Sequence, residues 1–92
     1  MIVRISGEGQ YRLPDEDGEG LNELENRVVA AVRDGDSGSF PGAFADVLGF
    51  VRDHGELLGD AELEGSDVIL PPADATFEEA GREFTGEGLL PD

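Results

Sequence analysis

Gly7-Glu8-Gly9 divides the first thirteen residues into two short runs, Ile2 to Ser6 and Gln10 to Leu13, in which apolar and polar side chains alternate. Alternation with a period of two marks a strand with one buried face, and a three-residue linker holding two glycines supplies the positive φ of a tight reversal. The segment reads as a β-hairpin. Pairing Ser6 with Gln10 sets Val3 opposite Leu13 and Ile5 opposite Tyr11 on the core side, with Arg4 opposite Arg12 on the outer side. A hairpin turn is favoured over a phosphate loop because no Lys follows, the third glycine of a dinucleotide fingerprint is missing and the next segment is a strand.

The acidic turn from Pro14 to Gly20 leads into a helix expected from about Leu21 to Asp34, where Leu21, Leu24, Val28, Ala31 and Val32 recur at helical spacing. Glu19 and Glu23 suit the positive end of its dipole, and Gly35 stops it. After the loop Gly35 to Ser39 comes a second helix. Ser39 is its expected N-cap, Pro41 fits the first turn, and Phe40, Ala43, Phe44, Val47, Leu48 and Val51 form a broad apolar stripe ending near Gly55. These two helices read as an antiparallel hairpin. Glu56 to Asp67 reads as loop, and Val68-Ile69-Leu70 as a short strand ended by Pro71-Pro72. Thr76 and Glu79 form a capping box for a third, short helix carrying Phe77, Ala80 and Phe84. Gly86-Glu87-Gly88 closes that helix and leaves Leu89-Leu90-Pro91 as an apolar tail. The expected architecture is one α+β domain over residues 1–92: a β-hairpin plus a short third strand, with three helices packed on one face, in the order ββααβα.

Charge narrows the partners. Twenty-two residues are Asp or Glu against six Arg and no Lys, a formal net charge of −16. A nucleic-acid backbone needs clustered cations that release counterions, and anionic lipid repels an acidic surface, so neither nucleic-acid binding nor direct membrane insertion is expected. Acids this dense repel one another across a screening length of about 8 Å at physiological salt. Two explanations stay open: adaptation to molar salt, which screens the repulsion, or a GC-rich genome that favours Arg, Gly, Ala and Asp. Without Cys there is no disulfide, thiolate zinc site or thiol nucleophile. The longest apolar run, Val28 to Val32, is far short of the ~20 residues of a membrane span, and no basic, apolar signal segment opens the chain. A cytoplasmic protein is the default expectation.

Chemistry is sparse. Counting from Asp15, Asp17 and Glu19 fall on positions three and five of a calcium loop and Gly20 on position six, but Asn26 stands where a bidentate Glu is required. A solvated acidic turn is favoured, with a cation- or small-ligand-sensing domain as the alternative. His54, at the expected end of the second helix, suits the dipole there and has no nucleophile or second ligand near it in sequence. Acid pairs such as Glu78-Glu79 are expected by number alone in this composition. No catalytic residue, metal ligand or cofactor is assigned, and the protein is expected not to be an enzyme. The features that suit a partner are Arg4 and Arg12 on the outer face of the hairpin, Phe50 at the edge of the second helix's stripe, and Leu89 and Leu90 in the tail. Each has a plainer reading: neutralisation by the chain's own acids, core packing, or folding back on the sheet.

Three segments taken in order say more. Met1-Ile2-Val3-Arg4-Ile5 with Gly7-Glu8-Gly9-Gln10-Tyr11, the stretch from Ser66 through Val68-Ile69-Leu70-Pro71-Pro72 to Thr76, and the ending Glu87-Gly88-Leu89-Leu90-Pro91 resemble the PspA-associated (PspAA) domain family nearly end to end. The resemblance implies an accessory or regulatory module for PspA, the coiled-coil protein of the phage-shock membrane-stress response. It therefore implies a PspA-like coiled-coil partner and a cytoplasmic location, peripheral to the membrane through that partner. No catalytic motif comes with it, and the oligomeric state and partner surface are left open. A winged-helix DNA binder has elements in a similar order, but its recognition helix would carry cations. The second helix here offers only Arg52, accompanied by Asp46 and Asp53.

Overall fold

The computed structural model describes residues 1–59 and 65–84. Strands β1 (Ile2–Ile5), β2 (Gly9–Arg12), β3 (Glu56–Leu57) and β4 (Val68–Leu70) form one mixed sheet in the order β3-β2-β1-β4. Helices α1 (Gly18–Arg33), α2 (Phe40–His54) and α3 (Phe77–Phe84) supply the rest of an α+β fold. Val3, Ile5, Tyr11 and Leu13 point from the hairpin into a core shared with Leu21 and Val28 of α1, Val47 and Val51 of α2, Leu70 of β4 and Ala80 of α3.

The hairpin register is shifted by two from the one the sequence pattern suggests, with the three-residue loop moved one position earlier, to residues 6–8. Val3 pairs with Tyr11 and Ile5 with Gly9. The Glu8 N–H donates to the Ile5 carbonyl at 2.9 Å, and Gly7 sits at the third position of this turn with φ +79, a value that favours glycine. Ser6 therefore leaves the β1–β2 ladder and donates its N–H to the Leu70 carbonyl at 3.0 Å. A shift of two preserves the faces. Arg4 and Arg12 stay on the outer side, but they are not opposite each other: Arg4 faces Gln10 and Arg12 faces Ile2.

Glu56 and Leu57, expected as loop, pair antiparallel with Arg12 and Tyr11. Two residues are too few to show alternation, and the pairing depends on a tertiary approach at Gly55. A Cβ there would lie 2.6 Å from the Val51 carbonyl oxygen and 2.9 Å from Tyr11 Cβ, so the chain leaves α2 hard against the hairpin only because the side chain is absent. Val68–Leu70 is the expected short strand, and it runs parallel to β1.

Two helix starts differ from expectation. A 3-10 turn over Asp15–Asp17 runs straight into α1, which begins at Gly18, ahead of Leu21. Ser39 occupies the position before α2 but makes no capping bond with its own side chain. Asp36 does that work for the preceding turn, accepting the Ser39 N–H on Oδ1 at 3.1 Å and the Ser39 hydroxyl on Oδ2 at 2.7 Å. At α3 the capping box forms as expected. The Thr76 N–H donates to Glu79 Oε1 at 2.9 Å and the Glu79 N–H to Thr76 Oγ1 at 3.2 Å.

Candidate functional site

Helical spacing gives α2 two flanks beside its core-facing stripe. On one flank Phe50 packs toward α1. A Cβ on Gly20 would stand 3.1 Å from the Phe50 ring, so the ring packs closely over the backbone there. His54 stacks on Phe50, centroids 4.1 Å apart, and its Nδ1 lies 3.4 Å from Asp17 Oδ2. Phe50 is thus held in the seam between α1 and α2.

The opposite flank borders a groove of about 460 Å³. Phe40, Phe44 and Leu48 form its floor, Pro41 and Ala45 stand at its α2 edge, and Ala73, Ala75, Thr76 and Phe77 form the facing wall. Phe40 stacks on Phe44 at 5.3 Å between centroids and meets Phe77 edge-on at 5.5 Å, so the floor and wall are joined by aromatic contacts.

Arg52 lines one end of the groove. Its Nε donates to Glu8 Oε2 at 2.8 Å and its Nη2 to Glu8 Oε1 at 2.6 Å, and the Tyr11 hydroxyl donates to the same Oε2 at 2.7 Å. The Arg52 bonds, then the Tyr11 bond, hold the Glu8 carboxyl down to about 2. The same contact with Glu8 pushes the Tyr11 phenol up. Both acceptor oxygens and the guanidinium are thereby committed within the fold, and the groove itself is predominantly apolar.

Arg4 is exposed on the outer sheet face between Gln10 on β2 and Ile69 on β4, and Ile69 is 47% exposed. Arg12 lies two pairs further along, between Ile2 and Glu56. Leu89 and Leu90 lie outside the described residues. The sheet thus groups Arg4 with Arg12 on one face, and Phe50 sits in a separate place within the helical layer.

The acidic turn is not a calcium loop. Asp15 and Asp17 belong to the 3-10 turn and Glu19 to the first turn of α1, so these carboxylates follow a helical path and do not converge. Among the described residues no group of three or more His, Asp or Glu is arranged to hold a metal ion.

Two features escaped the sequence pattern. Pro41 was legible only as a first-turn residue of α2 and Ala45 carried no signal of its own, although the breadth of the α2 stripe was a sign that more than one of its sides is covered. Glu25, which the sequence pattern did not single out, is 3% exposed, its Oε2 has no hydrogen-bond partner, and burial pushes its carboxyl up to about 7. Its position midway between Leu21 and Val29 on the buried side of α1 was the available signal.

The family model of the PspA-associated proteins matches residues 1–92. No curated protein and no solved structure matches the chain. The match spans every element described above, from the β1–β2 hairpin through the α1–α2 pair to α3, and the chain belongs to the PspA-associated protein family.

Proposed function

We propose that the protein is a non-enzymatic adaptor that binds a PspA-type coiled-coil protein in the membrane-stress response and reaches the membrane only through that partner. Membership of the PspA-associated family over residues 1–92 carries this reading. The character of the groove supports it, because its charged end, Arg52, is already bound to Glu8 and its floor is aromatic and aliphatic. Acid–base or nucleophilic chemistry would instead require convergent polar groups with a free proton acceptor. His54 is stacked on Phe50 and faces Asp17, away from any hydroxyl nucleophile among its described contacts. Among the described residues no helix is long and apolar enough to cross a membrane, and a charge of −16 opposes contact with anionic lipid. These features favour a cytoplasmic protein that is peripheral to the membrane through another chain.

The test is co-purification of the immobilised protein with a co-encoded PspA-like protein, at the salt concentration of the native cytoplasm. Retention of the coiled-coil protein is expected. Its complete absence from the bound fraction under those conditions sinks the adaptor reading.

A further inference from the structure

We propose that the groove beside α2 docks one amphipathic helix of the partner, bound through an apolar ridge that is flanked by Lys or Arg. This rests on the adaptor reading and adds to it the surface and the chemistry of the docked segment.

The dimensions suit a helix. Pro41 to Arg52 spans about 17 Å of α2 at 1.5 Å per residue, which is three turns. Pro41, Phe44, Ala45, Leu48 and Arg52 recur every three or four residues along it, the spacing that forms a ridge against which a second helix packs. A ligand helix would present anchors at i, i+3 or i+4 and i+7 to the aromatic floor. The small Ala45 at the edge and Ala73 and Ala75 on the facing wall leave room for a helix to approach closely.

Charge selects among occupants. Asp36 and Asp74 are exposed in the loops that carry Ser37, Ala73 and Ala75 to the groove, and Glu78 is exposed in the first turn of α3 beside Phe77. Arg52 does not offset them, because its charge is matched by Glu8 at 2.6 Å. An apolar floor with an acidic rim is complementary to an apolar ridge with cationic flanks, and the rim steers such a ligand during encounter. A second copy of this chain brings −16 against −16 and is disfavoured as the occupant. A nucleic acid has the wrong charge and no apolar ridge.

The probe is a capped peptide of about 15 residues, roughly 22 Å long as a helix, made of Leu, Ala and Lys with the leucines on one face. A control peptide carries Glu in place of every Lys. Titrated into the full chain, the Lys peptide is expected to shift the amide resonances of Ala45, Leu48, Ala75 and Thr76, and to bind at least tenfold more tightly than the Glu peptide. Ala45→Arg, at an exposed position on the groove edge, is expected to lose at least tenfold in affinity while its circular dichroism and thermal midpoint stay those of the native chain. Equal affinity for the two peptides, shifts centred on Arg4 and Ile69, or native binding by Ala45→Arg would each overturn the proposal. Groove resonances that move with the concentration of the chain alone would identify a second copy as the occupant and also overturn it. The two readings fail separately. If Ala45→Arg still retains the PspA-like protein, the groove assignment falls and the adaptor stands; if the native chain retains none, the adaptor falls and the peptide titration still decides the groove.

Discussion

Arg52 holds Glu8 with two nitrogens on two oxygens, at 2.8 and 2.6 Å, and so ties the hairpin turn to the last turn of α2 across 44 residues of sequence. The geometry is that of a bidentate, charge-assisted pair. The side chains remain 41% and 29% exposed, so solvent screening limits its worth to about 1 kcal/mol. Arg52→Ala and Glu8→Gln are each expected to lower the unfolding free energy by about that amount, with a coupling of about 0.5–1 kcal/mol in the double-mutant cycle. Glu8 is held down to about 2 from an ordinary 4.5. Its contribution is therefore complete above pH 4.5 and disappears as pH falls toward 2. Denaturant titrations of the four variants at pH 7 and pH 3 measure both effects; a coupling that does not weaken on acidification contradicts the assignment.

Glu25 works in the opposite sense. Burial raises its carboxyl from 4.5 to about 7, so the folded state holds the proton more tightly than the unfolded chain. The resulting penalty is absent below pH 4.5, grows as pH rises, and is full above pH 7, where it is on the order of 3 kcal/mol. Glu25→Leu is expected to flatten this dependence and to exceed the native chain in stability by on the order of 2–3 kcal/mol at pH 8. At pH 4.5 the difference shrinks to the packing effect alone. A stability difference that is the same at pH 4.5 and pH 8 would falsify the burial argument.

Gly55 allows α2 to end against β2. A methyl group there would sit 2.6 Å from the Val51 carbonyl oxygen and 3.0 Å from Leu13 Cδ1, and the first of these neighbours is backbone that cannot rotate away. Gly55→Ala is expected to cost about 1–3 kcal/mol, the range of an overpacked core. Gly49→Ala is the comparison, since nothing lies within 4 Å of its added Cβ and the helix gains from Ala. Chemical denaturation should place the two variants on opposite sides of the native chain; equal midpoints would show that the α2–β3 junction yields without strain.

Salt separates repulsion from specific pairing. Raising KCl from about 0.1 to 1 M shortens the screening length from about 10 to 3 Å. The net charge of −16 outweighs the few ion pairs, so the thermal midpoint is expected to climb by about 4–8 °C for each kcal/mol of repulsion removed. A midpoint that stays level or falls would mean that the carboxylates are already neutralised locally.

Where the sequence was readable, the reason was periodicity or a short-range chemical match. The apolar stripes located the cores of α1 and α2, Thr76 and Glu79 announced the capping box of α3, and alternation around Gly7 to Gly9 gave both hairpin faces correctly. The hairpin register was missed by two because parity fixes the face but leaves shifts of two equivalent, and the choice was made by the β4 carbonyl that accepts the Ser6 N–H. β3 was missed because two residues carry no period. The groove was only half visible: Phe40, Phe44 and Leu48 were recognised as apolar, but Ala73 and Ala75 reach them through the turn after β4, and such a long-range approach leaves no mark on local spacing. Arg4 and Arg12 were placed on the right face and in the wrong mutual position.

The parallel pairing of β1 with β4 has a kinetic meaning. The hairpin and the α1–α2 pair draw on neighbours close in sequence, but the middle strand of the sheet is completed by residues some 65 positions away, where the Asp67 N–H donates to the Ile2 carbonyl at 2.8 Å and the Asp67 carboxylate accepts the Ile2 N–H at 2.7 Å. Closing so large a loop is the slow, entropically costly event of assembly, and contacts of this separation set the folding rate of small two-state proteins. Until it happens, one side of β1 is an unsatisfied edge able to recruit a strand from another molecule. Asp67, with two bonds to Ile2, satisfies that edge in the folded sheet.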